Sequence, residues 1–87
     1  SKECGVERPM VGGVFAGQLN NGKRDGKGTI LYVDHRYTGN YKNGLSCGKG
    51  TIYFGDGTVV TGTFTDQPLV NTKAIKFANV VYYLLEN

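Results

Sequence analysis

The 87-residue chain has little of several residue types on which many functional sites depend. It contains no tryptophan, two cysteines, and a single histidine, His35. One histidine and two distant cysteines cannot supply the four ligands of a zinc site, and two cysteines are too few for a disulfide framework. The seven Asp and Glu residues are scattered, and no pair is placed for acid–base catalysis. We therefore expect no metal, no cofactor and no enzymatic activity.

Long apolar runs and a strong charge are also missing. No apolar run reaches the roughly 18 residues of a membrane-spanning helix, and no signal peptide is recognisable. The net charge of +3 predicts no nucleic-acid partner, although it permits weak attraction to acidic protein or anionic lipid. We expect one small intracellular domain over residues 1–87, in the cytoplasm or at the cytoplasmic face of a membrane, with no small-molecule substrate.

Glycine and repetition are what the chain has in abundance. It carries 14 glycines, six tyrosines and four phenylalanines. The segment 22–30 (GKRDGKGTI) recurs 22 residues later as segment 44–52 (GLSCGKGTI). A fixed period of this length predicts an array of supersecondary units that pack on their neighbours. We place these units at about 5–14 (partial), 15–36, 37–59 and 60–87 (a degenerate cap).

Each unit predicts a β-hairpin followed by a linker. Runs of β-branched and aromatic residues flank turn residues at Gly12-Gly13, Asp34-His35 and Gly55-Asp56-Gly57. A two-residue turn at Asp34-His35 would pair Ile30 with Gly39. The segment 73–87 fits either a final hairpin that turns at Asn79 or a short helix. Its β-branched and aromatic residues favour the hairpin.

Alternation along the strands puts the large rings and the recurring glycines on one face. Rings that lie over bare backbone predict a strongly twisted, curved sheet with an aromatic concave face. These rings are either the core of the sheet or, since a single curved sheet cannot bury both faces, a surface for a partner. The predicted partner-binding residues are Tyr32, Tyr37, Tyr41, Phe54 and Phe64.

Five basic residues are predicted to lie along the linker edge of the sheet. They are Lys23, Arg24, Lys27, Lys42 and Lys49. A solvated rim of this kind discourages edge-to-edge pairing of strands. The alternative is a contact surface for anionic phospholipid, in which each cation near an acidic leaflet contributes on the order of 1 kcal/mol.

The two cysteines are predicted to be free thiols. Repeat register places Cys4 and Cys47 almost two units apart on one edge, roughly 19 Å at two strands a unit. A disulfide needs Cα atoms within about 7 Å. Two free thiols suit a reducing compartment.

Two motifs of catalytic or nucleotide-binding proteins occur by coincidence of the repeat. Gly44-Leu45-Ser46-Cys47-Gly48 has the form G-x-S-x-G, but that nucleophile elbow requires a strand–turn–helix setting. The segment 22–28 approaches a P-loop but is one residue short, and Gly28 stands where Ser or Thr is required. We expect neither activity.

The segment 37–57 (YTGNYKNGLSCGKGTIYFGDG) resembles the MORN (membrane occupation and recognition nexus) repeat. The preceding unit matches with Phe15 for Tyr and Asp34-His35 for Asp-Gly. The resemblance implies an all-β, elongated, twisted single-layer antiparallel sheet of consecutive hairpins. Val60 replaces the usual Tyr, and the last unit has lost its loop glycines, which limits the binding face to about two units.

The resemblance also implies a non-catalytic interaction or scaffold module, because such arrays bind a protein partner or dimerise. Our leading hypothesis is that the aromatic concave face binds a partner peptide or a second copy of the chain. The alternative is a peripheral membrane adaptor that binds anionic phospholipid through the basic edge. A third hypothesis is a regulatory fragment of an enzyme whose catalytic domain lies elsewhere.

Overall fold

The computed structural model describes residues 4–86, which form eight β-strands and no helix. The predicted all-β antiparallel architecture is confirmed. Because the described chain contains no helix, it also contains none that is long and apolar enough to cross a membrane. The strands are β1 (Cys4–Val6), β2 (Gly13–Asn20), β3 (Lys23–Tyr32), β4 (His35–Lys42), β5 (Leu45–Phe54), β6 (Val59–Thr65), β7 (Thr72–Lys76) and β8 (Val81–Leu85).

The strands form one open sheet in the order β2-β3-β4-β5-β6-β8-β7, and β1 pairs with β5. The hairpin interpretation of the chain's end is confirmed, since β7 and β8 pair and the Phe77 amide donates to the Val80 carbonyl across the turn at Asn79. The order of these two strands differs from a simple run of consecutive hairpins. β8 lies beside β6 and β7 forms the outer edge, so the segment 66–71 passes β8 before the chain re-enters the sheet.

The predicted linkers are themselves hairpin turns, which corrects the sequence interpretation. Asn21 and Gly22 have φ values of 53° and 78°, and Asn43 and Gly44 have φ values of 53° and 85°. Two successive residues with positive φ are the type I′ arrangement that Asn-Gly favours in two-residue β-hairpins. The first pair joins β2 to β3 and the second joins β4 to β5.

The predicted register of the β3–β4 hairpin was wrong by two residues. The turn lies at Val33-Asp34 instead of Asp34-His35, so Ile30 pairs with Tyr37 and Gly28 pairs with Gly39. A slip of two residues leaves every side chain on its original face. The predicted faces are therefore unaffected.

Five glycines line up across five neighbouring strands, from β2 to β6. Gly28 pairs with both Gly17 and Gly39, and Gly50 pairs with both Gly39 and Gly62. Large side chains lie over this glycine row. The Tyr37 ring covers Gly39 and Gly50, and a Cβ added at Gly50 would lie 2.5 Å from Tyr37 Cζ. The predicted packing of rings over bare backbone is confirmed.

The prediction of two free thiols was wrong, because Cys4 and Cys47 form a disulfide. Their Cα atoms are 4.0 Å apart. The predicted separation requires the N-terminal segment to continue the repeat as a strand beside β2. The turn before β2 lies at Val11-Gly12, one residue earlier than predicted, and the segment before it crosses to the middle of the sheet, where Cys4 pairs with Cys47. The disulfide therefore removes the basis for expecting a reducing compartment.

The core lies on the glycine-bearing side of the sheet, beneath the C-terminal hairpin. Val80 and Tyr82 from this hairpin complete a buried cluster to which β3, β4, β5 and β6 contribute the other members. Tyr82 is fully buried and stacks on Tyr37 with 5.6 Å between ring centroids. The buried members of the cluster are Ile30, Tyr37, Tyr41, Ile52, Phe64, Val80 and Tyr82.

Replacing one glycine of the row tests this packing. Gly50→Ala would force the buried Tyr37 ring away from its place, so we expect it to lower the free energy of unfolding by about 1–3 kcal/mol. Gly55→Ala is the matched control, since its added Cβ would meet nothing closer than the Asp34 carbonyl at 3.6 Å. Urea denaturation followed by circular dichroism measures both. Equal effects of the two substitutions would contradict the role of the row.

Candidate binding face

The concave face of the sheet is built from rings that the repeat supplies in register. We use this name for the surface formed by Phe15, Tyr32, Tyr37, Tyr41, Phe54 and Phe64. Phe15 meets Tyr41 edge-on with 5.5 Å between centroids, and Tyr37 meets Phe64 at 6.1 Å. Such edge-to-face pairs keep each ring's positive edge against a neighbour's negative face. The concave face therefore presents several electron-rich ring faces close together.

An extended segment of the chain itself lies on this face. We call residues 4–10 the N-terminal strap. Its Arg8 is only 3 % exposed, and the guanidinium carbon lies 4.9 Å from the Tyr37 ring centroid and 5.3 Å from that of Tyr82. Arg8 Nη2 also donates to the Phe64 carbonyl at 2.6 Å. The concave face thus holds a guanidinium by two cation–π contacts and a backbone acceptor.

A second arginine approaches the same face from the sheet. The Arg24 guanidinium lies 5.1 Å from the Tyr41 ring centroid and 5.6 Å from that of Phe15. Its Nη1 contacts the strap through the Arg8 carbonyl at 3.5 Å and the Met10 sulfur at 3.6 Å. Tyr32 donates from its hydroxyl to the Pro9 carbonyl. The strap is therefore held by polar contacts from Arg24, Tyr32 and Arg8.

His35 lies at the other end of the concave face, buried between two rings. Its imidazole stacks on Phe77 at 3.6 Å and on Tyr32 at 4.5 Å. Nδ1 donates to the Asp34 carboxylate at 2.7 Å, which leaves Nε2 to accept from the Tyr82 hydroxyl at 2.9 Å. The sequence interpretation of His35 as a simple turn residue was wrong. It begins β4 and locks the C-terminal hairpin to the sheet.

Two buried tyrosines of the face differ in how their hydroxyls are satisfied. Tyr37 Oη lies 3.1 Å from the Ser46 hydroxyl, whereas Tyr41 Oη has no hydrogen-bond partner among residues 4–86. Burial raises the pKa of Tyr41, and it also raises the pKa of Tyr82. An unpaired buried hydroxyl costs free energy that a phenyl ring would not.

The two phenylalanine substitutions should therefore have opposite effects on stability. Tyr41→Phe removes an unpaired hydroxyl and is expected to raise the free energy of unfolding by about 1 kcal/mol. Tyr37→Phe leaves the buried Ser46 hydroxyl without its partner and is expected to lower it by about 1–3 kcal/mol. Urea denaturation at neutral pH measures both. A loss of stability in both variants would contradict the assignment of Tyr41.

The carboxylate of Asp34 makes the stability contributed by the His35 hydrogen bonds dependent on pH. The hydrogen bond from His35 holds the pKa of Asp34 below its usual value. A lowered folded-state pKa means that stability is present above the pKa of the unfolded chain and is lost as the pH falls towards the folded value. This contribution therefore exists at neutral pH and disappears in acid.

Removing this charge should cost stability only when the carboxylate is ionised. Asp34→Asn is expected to lower the melting temperature at pH 7, and this effect should shrink as the pH falls below the carboxyl pKa of the unfolded chain and vanish only below the lower pKa of the folded protein. Asp66→Asn, at an exposed position, is the control and should change neither. Thermal denaturation at several pH values measures the difference. A constant effect of Asp34→Asn from pH 3 to 7 would refute the ionic contribution.

The structure brings the five predicted partner-binding residues onto one face but exposes them unequally. Tyr37 and Phe64 are buried against the strap and the C-terminal hairpin, and Tyr41 is buried against Phe15 and Arg24. Tyr32 and Phe54 are half-buried and line an open cleft of about 370 Å³ between the turns at Val33-Asp34 and 55–57. A second cleft of about 390 Å³ lies beside the strap, between β1 and β6, and Phe64 lines it.

The five predicted basic residues are divided between two sides of the sheet. Arg24 is engaged with the rings of the concave face. Lys27 and Lys49 line a shallow cleft of about 220 Å³, together with Thr38 and Thr51. These four residues alternate with the glycine row and so lie on the convex face. Lys23 and Lys42 are exposed beside the two Asn-Gly turns.

The remaining motif residues have structural contacts. Ser46 of the G-x-S-x-G match is 3 % exposed, lies in β5 and contacts Tyr37. Across residues 4–86, no three His, Cys, Asp or Glu side chains come together as a metal site would require. Sequence reasoning did not predict that Arg8, Phe77 and Tyr82 pack against the concave face. For Phe77 and Tyr82, the helical spacing of residues 75–85 left the secondary structure of the segment open. For Arg8, nothing in the local sequence indicates that the side chain is buried.

Comparison with known proteins identifies the repeat. The family model described as MORN repeat matches residues 15–35 and 37–59, just over half of the chain. The two matches are consecutive, and together they run from β2 to the start of β6. No curated protein and no solved structure matches the chain.

Proposed function

Because this chain belongs to the MORN repeat family, a family of non-enzymatic modules that mediate protein or membrane interactions, we propose that it binds a partner protein through its concave face. The proposed ligand is an extended segment of the partner. The observation that carries the proposal is the strap, in which Cys4–Val6 pair with β5 and Arg8 lies against the Tyr37 ring and donates to the Phe64 carbonyl. These contacts support a face that accepts a further segment of chain.

The two clefts that Tyr32, Phe54 and Phe64 line support the same function. Tyr32 and Phe54 remain half-exposed at the rim, where large aromatic side chains are well suited to anchor a partner. Thr63 and Thr65 of β6 line the other cleft, which lies beside the strap. A partner segment would add apolar contacts at the rim and replace the polar contacts that Arg8 makes at the centre.

The alternative of phospholipid binding draws on a different surface. Lys27 and Lys49 share one cleft on the convex face, but Arg24 is held against the rings and does not join them. Two lysines would contribute on the order of 2 kcal/mol at an anionic leaflet. We favour the protein partner, and we propose the cytoplasm or the cytoplasmic face of a membrane as its setting.

Paired variants of the two faces test the proposal. The reduced chain of residues 1–87 serves as bait in native lysate, and partner capture is compared with that of Tyr32→Ala/Phe54→Ala and of Lys27→Glu/Lys49→Glu. We expect the first pair to reduce capture at least about tenfold, as loss of anchor rings does, and the second pair to leave it unchanged. Both pairs replace residues that are exposed or half-buried, and circular dichroism verifies that each variant is folded.

Two results would overturn this function. One is capture that survives loss of the rim rings but not the lysine changes. The other is sedimentation of the chain with vesicles containing phosphatidylserine at physiological salt, abolished by Lys27→Glu/Lys49→Glu. The second result would establish the phospholipid alternative. Light scattering at the same concentrations distinguishes a hetero-partner from self-association.

A further inference from the structure

The strap is held by one covalent bond and by several non-covalent contacts. The Cys4–Cys47 disulfide closes a loop between residues 43 positions apart. β1 pairs with β5 at Cys4 and Val6, with an irregular register between them, and Arg8, Pro9 and Met10 make the polar contacts described above. The cleft of about 390 Å³ beside β1 shows that the strap does not fill the space up to β6. Among these interactions the disulfide is the one that a change of redox state can break.

Arg8 binds the concave face without a carboxylate partner. Within residues 4–86 no carboxylate forms an ion pair with it, and the one close carboxylate–histidine contact joins Asp34 to His35. The guanidinium is almost fully buried, and its Nε has no hydrogen-bond partner among the described residues. Burial of a cation without a counter-charge is costly, and ring faces and one carbonyl offset only part of that cost. Without the disulfide, the non-covalent affinity of the strap for the concave face is therefore weak enough for another segment to compete.

From these two observations we propose that the strap is a displaceable, autoinhibitory occupant of the concave face and that the Cys4–Cys47 disulfide is its lock. The segment that replaces it is an extended partner peptide that carries an arginine in the place of Arg8. This inference rests on the function proposed above and adds the partner's chemistry and a redox control. The arginine follows from the two rings and the Phe64 carbonyl, which together match a guanidinium.

Opening the lock is an ordinary thiol–disulfide exchange with a dithiol reductant. A thiolate of the reductant attacks Cys4 Sγ, and Cys47 leaves as a thiolate that takes up a proton. The reductant's second thiol then attacks the mixed disulfide, which releases the Cys4 thiol. The disulfide gains two electrons and two protons, and the dithiol becomes a cyclic disulfide. A reducing compartment would thus hold the concave face in its open form.

The disulfide tether should change the affinity of a competing peptide for the concave face by a measurable factor. A segment linked at both ends acts at a high effective concentration, and cutting one link lowers that concentration. A free peptide should then bind the open chain at least about tenfold more tightly than the locked chain. Binding should be stronger still after Arg8→Ala in the open chain, since the strap then loses its anchor.

Release of the strap is measured first, without any partner. Glu7 is exposed and lies in the strap, so cleavage after Glu7 by a glutamate-specific protease reports on how freely the strap moves. The oxidised wild type, the wild type in excess dithiothreitol, and Cys4→Ser/Cys47→Ser are compared by mass spectrometry. We expect cleavage after Glu7 at least about tenfold faster in the two open forms. Equal rates would overturn the lock.

Binding is measured next with a defined probe. The probe is a fluorescein-labelled peptide of residues 4–10 with Cys4→Ser, and its matched control also carries Arg8→Lys. Fluorescence anisotropy should show the probe binding the open forms at least about tenfold more tightly than the oxidised chain, and the control peptide at least about tenfold more weakly than the probe. Equal binding of the two peptides would overturn the arginine requirement.

The remaining outcomes are also decisive. If reduction abolishes the β-sheet signal in circular dichroism, the disulfide holds the fold and the lock is refuted. If the reduced chain dimerises by exchanging straps, the occupant is a second copy and the partner peptide is refuted. If the strap is released but loss of Tyr32 and Phe54 leaves partner capture intact, the lock stands and the proposed function fails. The protease experiment therefore tests the disulfide lock, the capture experiment tests the proposed function, and either can give a negative result without the other.

Discussion

The close approach of aromatic rings to bare backbone is the constraint on which this structure depends. A row of glycines crosses the sheet from Gly17 to Gly62, one on each of five strands. Without side chains in that row, Tyr37 can lie flat over Gly39 and Gly50. The neighbouring row holds the large apolar side chains, including Ile30 and Ile52. One face of the sheet therefore carries a row of bare backbone beside a row of large side chains, an arrangement that favours curvature of the sheet.

A curved sheet of this size needs a cover for its ring-lined side, and the chain supplies it from both ends. The C-terminal hairpin contributes Tyr82 and Val80 to the core, and the hydrogen bond between His35 and Tyr82 joins it to the sheet. The strap covers the rest, with Arg8 stacked on the rings. The two covers differ in kind. The first is apolar and fully buried, whereas the second rests on a cation and a disulfide.

The sequence predicted the repeating part of the fold and little of what covers it. Period, turn residues and alternation were enough to predict the hairpins and the faces, because each depends on contacts between near neighbours in the chain. Asn21-Gly22 and Asn43-Gly44 carried a clear hairpin signal that the linker interpretation overlooked. The pairing of Cys4 with Cys47 and the burial of Arg8 depend on where a non-repeating segment crosses the sheet, and local patterns do not encode that.

The chemistry of the strap explains why its anchor is an arginine. A leucine in the place of Arg8 would bury apolar area without a desolvation cost, and the cover would become a permanent part of the core. A guanidinium among Tyr37, Tyr82 and the Phe64 carbonyl gains cation–π and hydrogen-bond energy but loses hydration, so the second term reduces what the first contributes. In the proposed mechanism the disulfide tether adds the difference that keeps the segment bound. A bond that the redox state can break is then sufficient to control access to the face.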